Sequence, residues 1–168
     1  MHQWILRHEA PILRVTRWLL IASLLTPLVF ISEYFIFPFI TVKVFYLRAV
    51  IMLALGGYLA LFAVRPATYR PPRSILITAV VAFFTWALIS AMFGADLYHS
   101  FFSDHERMLG LLTMAHYVLL LIMFASVFRD SAWWKKIFLA LVGVGALVLV
   151  GALVQQFNPD FLSGGARA

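Results

Sequence analysis

The sequence predicts an all-α protein, a polytopic bundle of about five membrane-spanning helices with its N-terminus in the cytoplasm. Two observations carry that prediction. Of the 168 residues, 64% are hydrophobic and 12% charged, about half the charged share of an ordinary soluble domain. The apolar residues also gather into five long runs, and most basic residues gather into alternate gaps between those runs. A soluble fold this short would have to bury all five runs on every side, and it lacks the interior volume. Lipid solvates them directly.

A helix crosses a bilayer with about 20 apolar residues. The first run, 18–37, is interrupted by Glu33, and Pro27 inside it predicts a kink whose freed carbonyl is re-satisfied by neighbours. The second, 44–64, contains Arg48, and its Gly56 and Ala60 form a small-xxx-small pair suited to close helix approach. The third, 75–93, carries no charge. The fourth, 108–128, has His116 as its one ionisable group. The fifth, 137–154, is again uncharged. Pro66, Pro71 and Pro72 mark a short turn between the second and third runs, because proline cannot continue a helix. Trp133 and Trp134 precede Lys135 and Lys136, a pairing that suits an interfacial anchor.

Orientation follows from the charges between runs. One side receives Arg7, Arg14, Arg17, Arg65, Arg70, Arg73, Arg129, Lys135 and Lys136, with Glu9 and Asp130. The other receives Lys43, Arg48, Arg107 and Arg167, with Glu33, Asp96, Asp104, Glu106 and Asp160. The basic excess of cytoplasmic segments places the first side inside, where anionic headgroups also favour it. The net charge of +6 is thus a topological signal, and no nucleic-acid partner is expected. The N-terminus reads as an uncleaved first helix, since no small-residue cleavage site closes a short apolar core.

The chain is read as a single membrane domain. It has no cysteine, which excludes disulfides and thiol chemistry. It has no phosphate-binding glycine loop, no H-E-x-x-H helix and no nucleophile elbow, and no carboxylate pair shares a helix face. No catalytic residue, metal ligand or cofactor is therefore assigned.

The informative polar groups lie on the outer side. In one cluster Arg48 falls roughly one turn inside the outer boundary, near Lys43 and Glu33. Its structural reading is a snorkelling side chain paired with Glu33. Its functional reading is that Lys43 and Arg48 grip an anionic headgroup or a diphosphate. The second cluster runs from Asp96 to Arg107. Within it, Ser103-Asp-His-Glu106 matches an S-x-x-E capping box before an apolar run, so Ser103 and Glu106 are read as a structural cap. Arg107 in a first helical turn opposes the helix dipole, and a bound anion there would offset that cost. His99 and His105 read as loop histidines, and His116 as a hydrogen-bonding partner of a neighbouring helix.

Two stretches resemble a known family. Thr26-Pro-Leu-Val followed by Phe37-Pro-Phe-Ile-Thr-Val-Lys43-Val-Phe-Tyr-Leu-Arg48 looks like the start of bacterial O-antigen ligase/polymerase proteins, with Val42 standing where the family usually has glycine. Tyr98-His-Ser-Phe-Phe-Ser-Asp-His-Glu-Arg-Met-Leu-Gly110 resembles the family segment that opens a later helix. The resemblance spans about residues 25 to 168. It implies a membrane glycosyltransferase of about a dozen helices in the bacterial cytoplasmic (inner) membrane. Such proteins move a glycan from an undecaprenyl diphosphate carrier to lipid A-core or another acceptor at the outer face.

The resemblance further implies that Lys43, Arg48, Arg107 and Arg167 face the diphosphate of the lipid-linked donor. It implies that this chain is an N-terminal fragment, inactive alone, whose partners are membrane lipid, the glycan donor and the remaining helices with the catalytic loop. A small-anion transporter or channel bundle, or a structural membrane subunit, is the alternative. Transport calls for polar groups and broken helices at mid-membrane.

Overall fold

The computed structural model describes residues 8–29, 38–103 and 109–157, and among these every regular element is helical. In order they are α1 (Glu9–Ser23), a 3-10 turn (Thr26–Leu28), α2 (Pro38–Val64), α3 (Pro66–Tyr69), α4 (Ile75–Met92), α5 (Leu97–Phe102), α6 (Leu111–Val127) and α7 (Ser131–Phe157). Among the described residues, three helices are long and apolar enough to cross a membrane: Ile40–Val64 of α2, all of α4 and all of α7. α6 is apolar but shorter, at 17 residues, about 26 Å at 1.5 Å per residue.

The expected first span, 18–37, is corrected. Its helix begins at Glu9 and ends at Ser23, and residues 30–37 lie outside the described segments, as does Glu33. Pro27 ends the helical run where a kink was expected, because the chain enters a 3-10 turn with Pro27 near its start. Proline brings no N–H to the ladder and restrains the residue before it. The side chains of Ser23 and Thr26 add to the break by donating to the Leu20 and Ser23 carbonyls, both at 2.6 Å. α1 buries Thr16, Leu20 and Ser23 on one stripe, the spacing of a helix packed on one side.

α2 begins six residues before the expected boundary, with Pro38 as its first residue, a position where proline's missing N–H costs nothing. α7 likewise starts at Ser131, which takes Trp133, Trp134, Lys135 and Lys136 into the helix. α4 matches its expected run to within one residue.

α1 and α2 run antiparallel and form the centre. At one end the Arg65 Nε pairs with the Glu9 carboxylate at 3.2 Å. Toward the other, the Tyr46 hydroxyl donates to the Ala22 carbonyl at 2.9 Å. They approach tightly at Gly57, where a Cβ would overlap the Thr16 hydroxyl, whereas Gly56 faces open space. The expected contact through Gly56 and Ala60 is therefore displaced by one residue. Thr16 itself donates back to the Ile12 carbonyl at 2.9 Å, so its hydroxyl remains satisfied in an apolar seam.

The core is built from Leu20, Leu47, Ile51, Ala54 and Leu61, closed by Met123, Phe124, Val127 and Phe128 of the α6 end and Ile137 of α7. α4 and α7 bury little: 6% and 11% of their most apolar windows, against 33% for α2. Helices that apolar and that exposed fit a hydrocarbon surround.

The three basic segments meet at one end of the bundle. Besides the Glu9–Arg65 pair, Arg129 donates to the Arg70 carbonyl. The Arg17 guanidinium lies 4.9 Å from the Trp133 ring centroid and reaches the Val127 carbonyl at 3.5 Å. Tyr69 donates to Glu9 at 2.9 Å, and its carbonyl accepts from Tyr58 at 3.0 Å.

Candidate functional site

Lys43 and Arg48 lie on the same helix, with Arg48 eight residues beyond Ile40, where the apolar part of α2 begins. Five residues of α-helix separate the two by about 7.5 Å along the axis and roughly 140° around it. The helix therefore does not bring them side by side. Thr41, seven residues before Arg48 and so nearly above it, is buried on the Arg48 face.

Arg48 points to α6. Its terminal nitrogen donates to the Thr113 hydroxyl at 2.7 Å, while its Nε is buried without an acceptor. Glu33, the partner expected for it, lies outside the described residues. Among those residues the one Lys/Arg–carboxylate ion pair is Arg65–Glu9, at the far end of α2. A cation within an apolar span costs at least ~2.5 kcal/mol at the bilayer centre and less near the boundary. Here it is met by a neutral hydroxyl.

The acceptor is positioned by the start of α6. Gly110 precedes that helix in an extended conformation (φ −65°, ψ 179°), and a Cβ there would overlap the Phe101 and Phe102 backbone. Glycine thus lets the carbonyl end of α5 press on the amino end of α6. Leu111, Thr113 and His116 follow on the buried side. His116 is held by its own helix: its Nδ1 lies 2.6 Å from the Leu112 carbonyl. A carbonyl only accepts, so Nδ1 carries the proton. The expected bond to a neighbouring helix is corrected accordingly, since the i−4 carbonyl is the nearest acceptor for a ring folded along its helix.

The segment between α4 and α6 departs from the expected capping box, because Ser103 ends one helix and Gly110 precedes the next. α5 occupies Leu97–Phe102 and is capped by Asp96, whose carboxylate accepts from the His99 amide at 2.9 Å. Ser103 terminates this helix with φ 61° and ψ −174°, a conformation that favours glycine. The expected fourth span, 108–128, is narrowed to Leu111–Val127, entered through Gly110. Glu106 and Arg107 lie outside the described residues, as do Met108 and Arg167. Of the four expected headgroup contacts, the structure thus describes Lys43 and Arg48.

Sequence reasoning missed the opposite end. Glu9, Arg65, Tyr69, Tyr58 and Ser126 form one connected polar network, with Tyr58 also 3.4 Å from the Ser126 hydroxyl. Burial, and then the Glu9 carboxylate beside it, push the Tyr69 hydroxyl up to about 12. A tyrosine in a proline-rich turn gives little sequence signal for such a role. No three His, Asp or Glu side chains converge as a metal set among the described residues. No family model, curated protein or solved structure matches this chain.

Proposed function

We propose that this chain is the N-terminal membrane part of a glycan ligase or polymerase of the bacterial cytoplasmic membrane, with its basic end in the cytoplasm. In this reading the protein transfers a glycan from an undecaprenyl diphosphate carrier to lipid A-core or another acceptor at the outer face. Lys43, Arg48, Arg107 and Arg167 attend the diphosphate, and the catalytic loop belongs to helices beyond this segment.

Arg48 carries the proposal. It is a membrane-embedded guanidinium joined to a neutral hydroxyl, with a buried Nε that has no acceptor. A fork of donors at that depth matches the oxygens of a phosphorylated polyprenol, whose tail needs lipid while its head needs cations. In the transfer step the acceptor hydroxyl attacks the anomeric carbon and the bond to the lipid diphosphate breaks. Charge grows on the departing phosphate oxygen, and a positioned guanidinium stabilises it. Thr113 holds Arg48 in place as a positioning residue.

The test is glycan transfer by the full-length gene product in cells lacking their own ligase. Arg48→Ala should abolish transfer with normal membrane insertion, and Arg48→Lys should restore little, because a point charge does not replace a bidentate fork. Unchanged transfer in Arg48→Ala would reject the role. Anion flux lost without any glycan phenotype would favour the transporter alternative.

A further inference from the structure

The basic end holds a second cationic site that the proposed transfer does not use. A cavity of about 370 Å³ opens between α1 and the start of α7, lined by Leu13, Arg14, Arg17, Trp18, Ile21 and Trp133 among others. Two cations line it, Arg14 and Arg17, and a third stands on the ring of the lining Trp133. Arg17 and the Lys136 ammonium lie 4.9 and 4.8 Å from the Trp133 ring centroid, and Arg14 is one turn from Arg17 with its side chain exposed. Arg17 leaves its Nε buried with no acceptor. The one carboxylate of α1, Glu9, is committed to Arg65 and Tyr69 elsewhere. Two guanidinium side chains line the cavity with no carboxylate among its lining residues, so the arrangement favours a bound anion.

The rest of the lining specifies what kind. Leu13, Ile21 and Trp18 make the wall apolar, and Trp18 is 64% exposed. Trp133 and Trp134 sit beside Lys135 and Lys136 at the level where α7 enters its long apolar stretch, the position of an interfacial belt. A free phosphate would have no use for those walls, whereas a phospholipid brings a phosphate and acyl chains together. We propose that this cavity binds the headgroup of an anionic phospholipid, such as phosphatidylglycerol. Its phosphate sits against Arg14 and Arg17, and its chains run along Leu13, Trp18 and Ile21. This site is independent of the donor site at the other end of α2.

Native mass spectrometry tests it on the full chain, purified from nanodiscs of phosphatidylglycerol and phosphatidylcholine matched in acyl chains. The wild type should retain one phosphatidylglycerol in preference to phosphatidylcholine. Arg14→Gln/Arg17→Gln should lower that preference roughly thirty-fold, each basic residue near the surface contributing about fivefold. Arg14→Gln alone, which leaves the Arg17–Trp133 contact in place, should lower it about fivefold with an unchanged circular dichroism spectrum. Arg70→Gln/Arg73→Gln removes the same charge at the same end outside the cavity and should change little. An equal loss in that control, or no loss in Arg14→Gln, would overturn the site. Release of the lipid by millimolar inorganic phosphate would instead identify a free-anion site and also overturn it.

Discussion

Arg48 of α2 donates to the hydroxyl of Thr113, three residues into α6, across 2.7 Å. That bond ties the embedded cation to the helix that also carries His116. The Arg48 Nε is left over, a buried donor without an acceptor among the described residues.

The Arg48–Thr113 pair should show measurable coupling. Arg48→Met and Thr113→Val each remove one partner at similar volume, and a double-mutant cycle in bicelles should return an interaction of about 1 kcal/mol, the scale of interhelical hydrogen bonds in membranes. Additive effects would mean that the contact contributes nothing to the fold.

Two adjacent glycines should behave differently. Gly57→Val places a side chain on Thr16 and should destabilise the α1–α2 pair by about 1–3 kcal/mol, the usual cost of overpacking. Gly56→Val meets open space and should be tolerated. Resistance to unfolding by sodium dodecyl sulfate separates the two, and equal sensitivity would contradict the seam.

Tyr69 supplies a pH dependence. Its hydroxyl is pushed up to about 12 from an ordinary value of 10.0, by burial first and the Glu9 contact second. The folded state therefore holds the proton more tightly than the unfolded chain. The associated stability is fully present below pH 10 and is lost as pH rises through about 12. The wild type should lose stability across that window, and Tyr69→Phe should lose less of it. Parallel curves for the two proteins would remove Tyr69 from the network.

Much of this arrangement is legible in the sequence, and the departures have physical causes. α4 is readable to within one residue because a charge-free run ending at Phe93-Gly94 has no competing signal. The starts of α1, α2 and α7 all fall earlier than the apolar runs imply. Hydropathy finds the stretch in lipid, whereas the helix runs on through its interfacial turns, as Arg14, Arg17, Lys43 and Trp133 do here. Arg48 is legible as an embedded cation, but its Thr113 partner is 65 residues away and leaves no local pattern. The Glu9–Tyr69–Tyr58–Ser126 network is illegible for the same reason, since each member alone resembles an ordinary loop or core residue.

Ser103 ends α5 with φ 61° and ψ −174°. A side chain in that region costs on the order of 1 kcal/mol or more, so Ser103→Gly should stabilise the protein by about 1 kcal/mol. A loss of stability would show that the serine hydroxyl contributes more than the backbone costs.

The sidedness of the two ends decides the account. The chain has no cysteine, so a single introduced thiol reports its own location to a membrane-impermeant maleimide in spheroplasts. Ala95→Cys, in the turn before α5 and on the side of the proposed donor site, should label in intact spheroplasts. Thr68→Cys, in α3 at the basic end, should label only after permeabilisation. Labelling with the two positions exchanged would put Arg48 at the cytoplasmic face and contradict transfer at the outer surface.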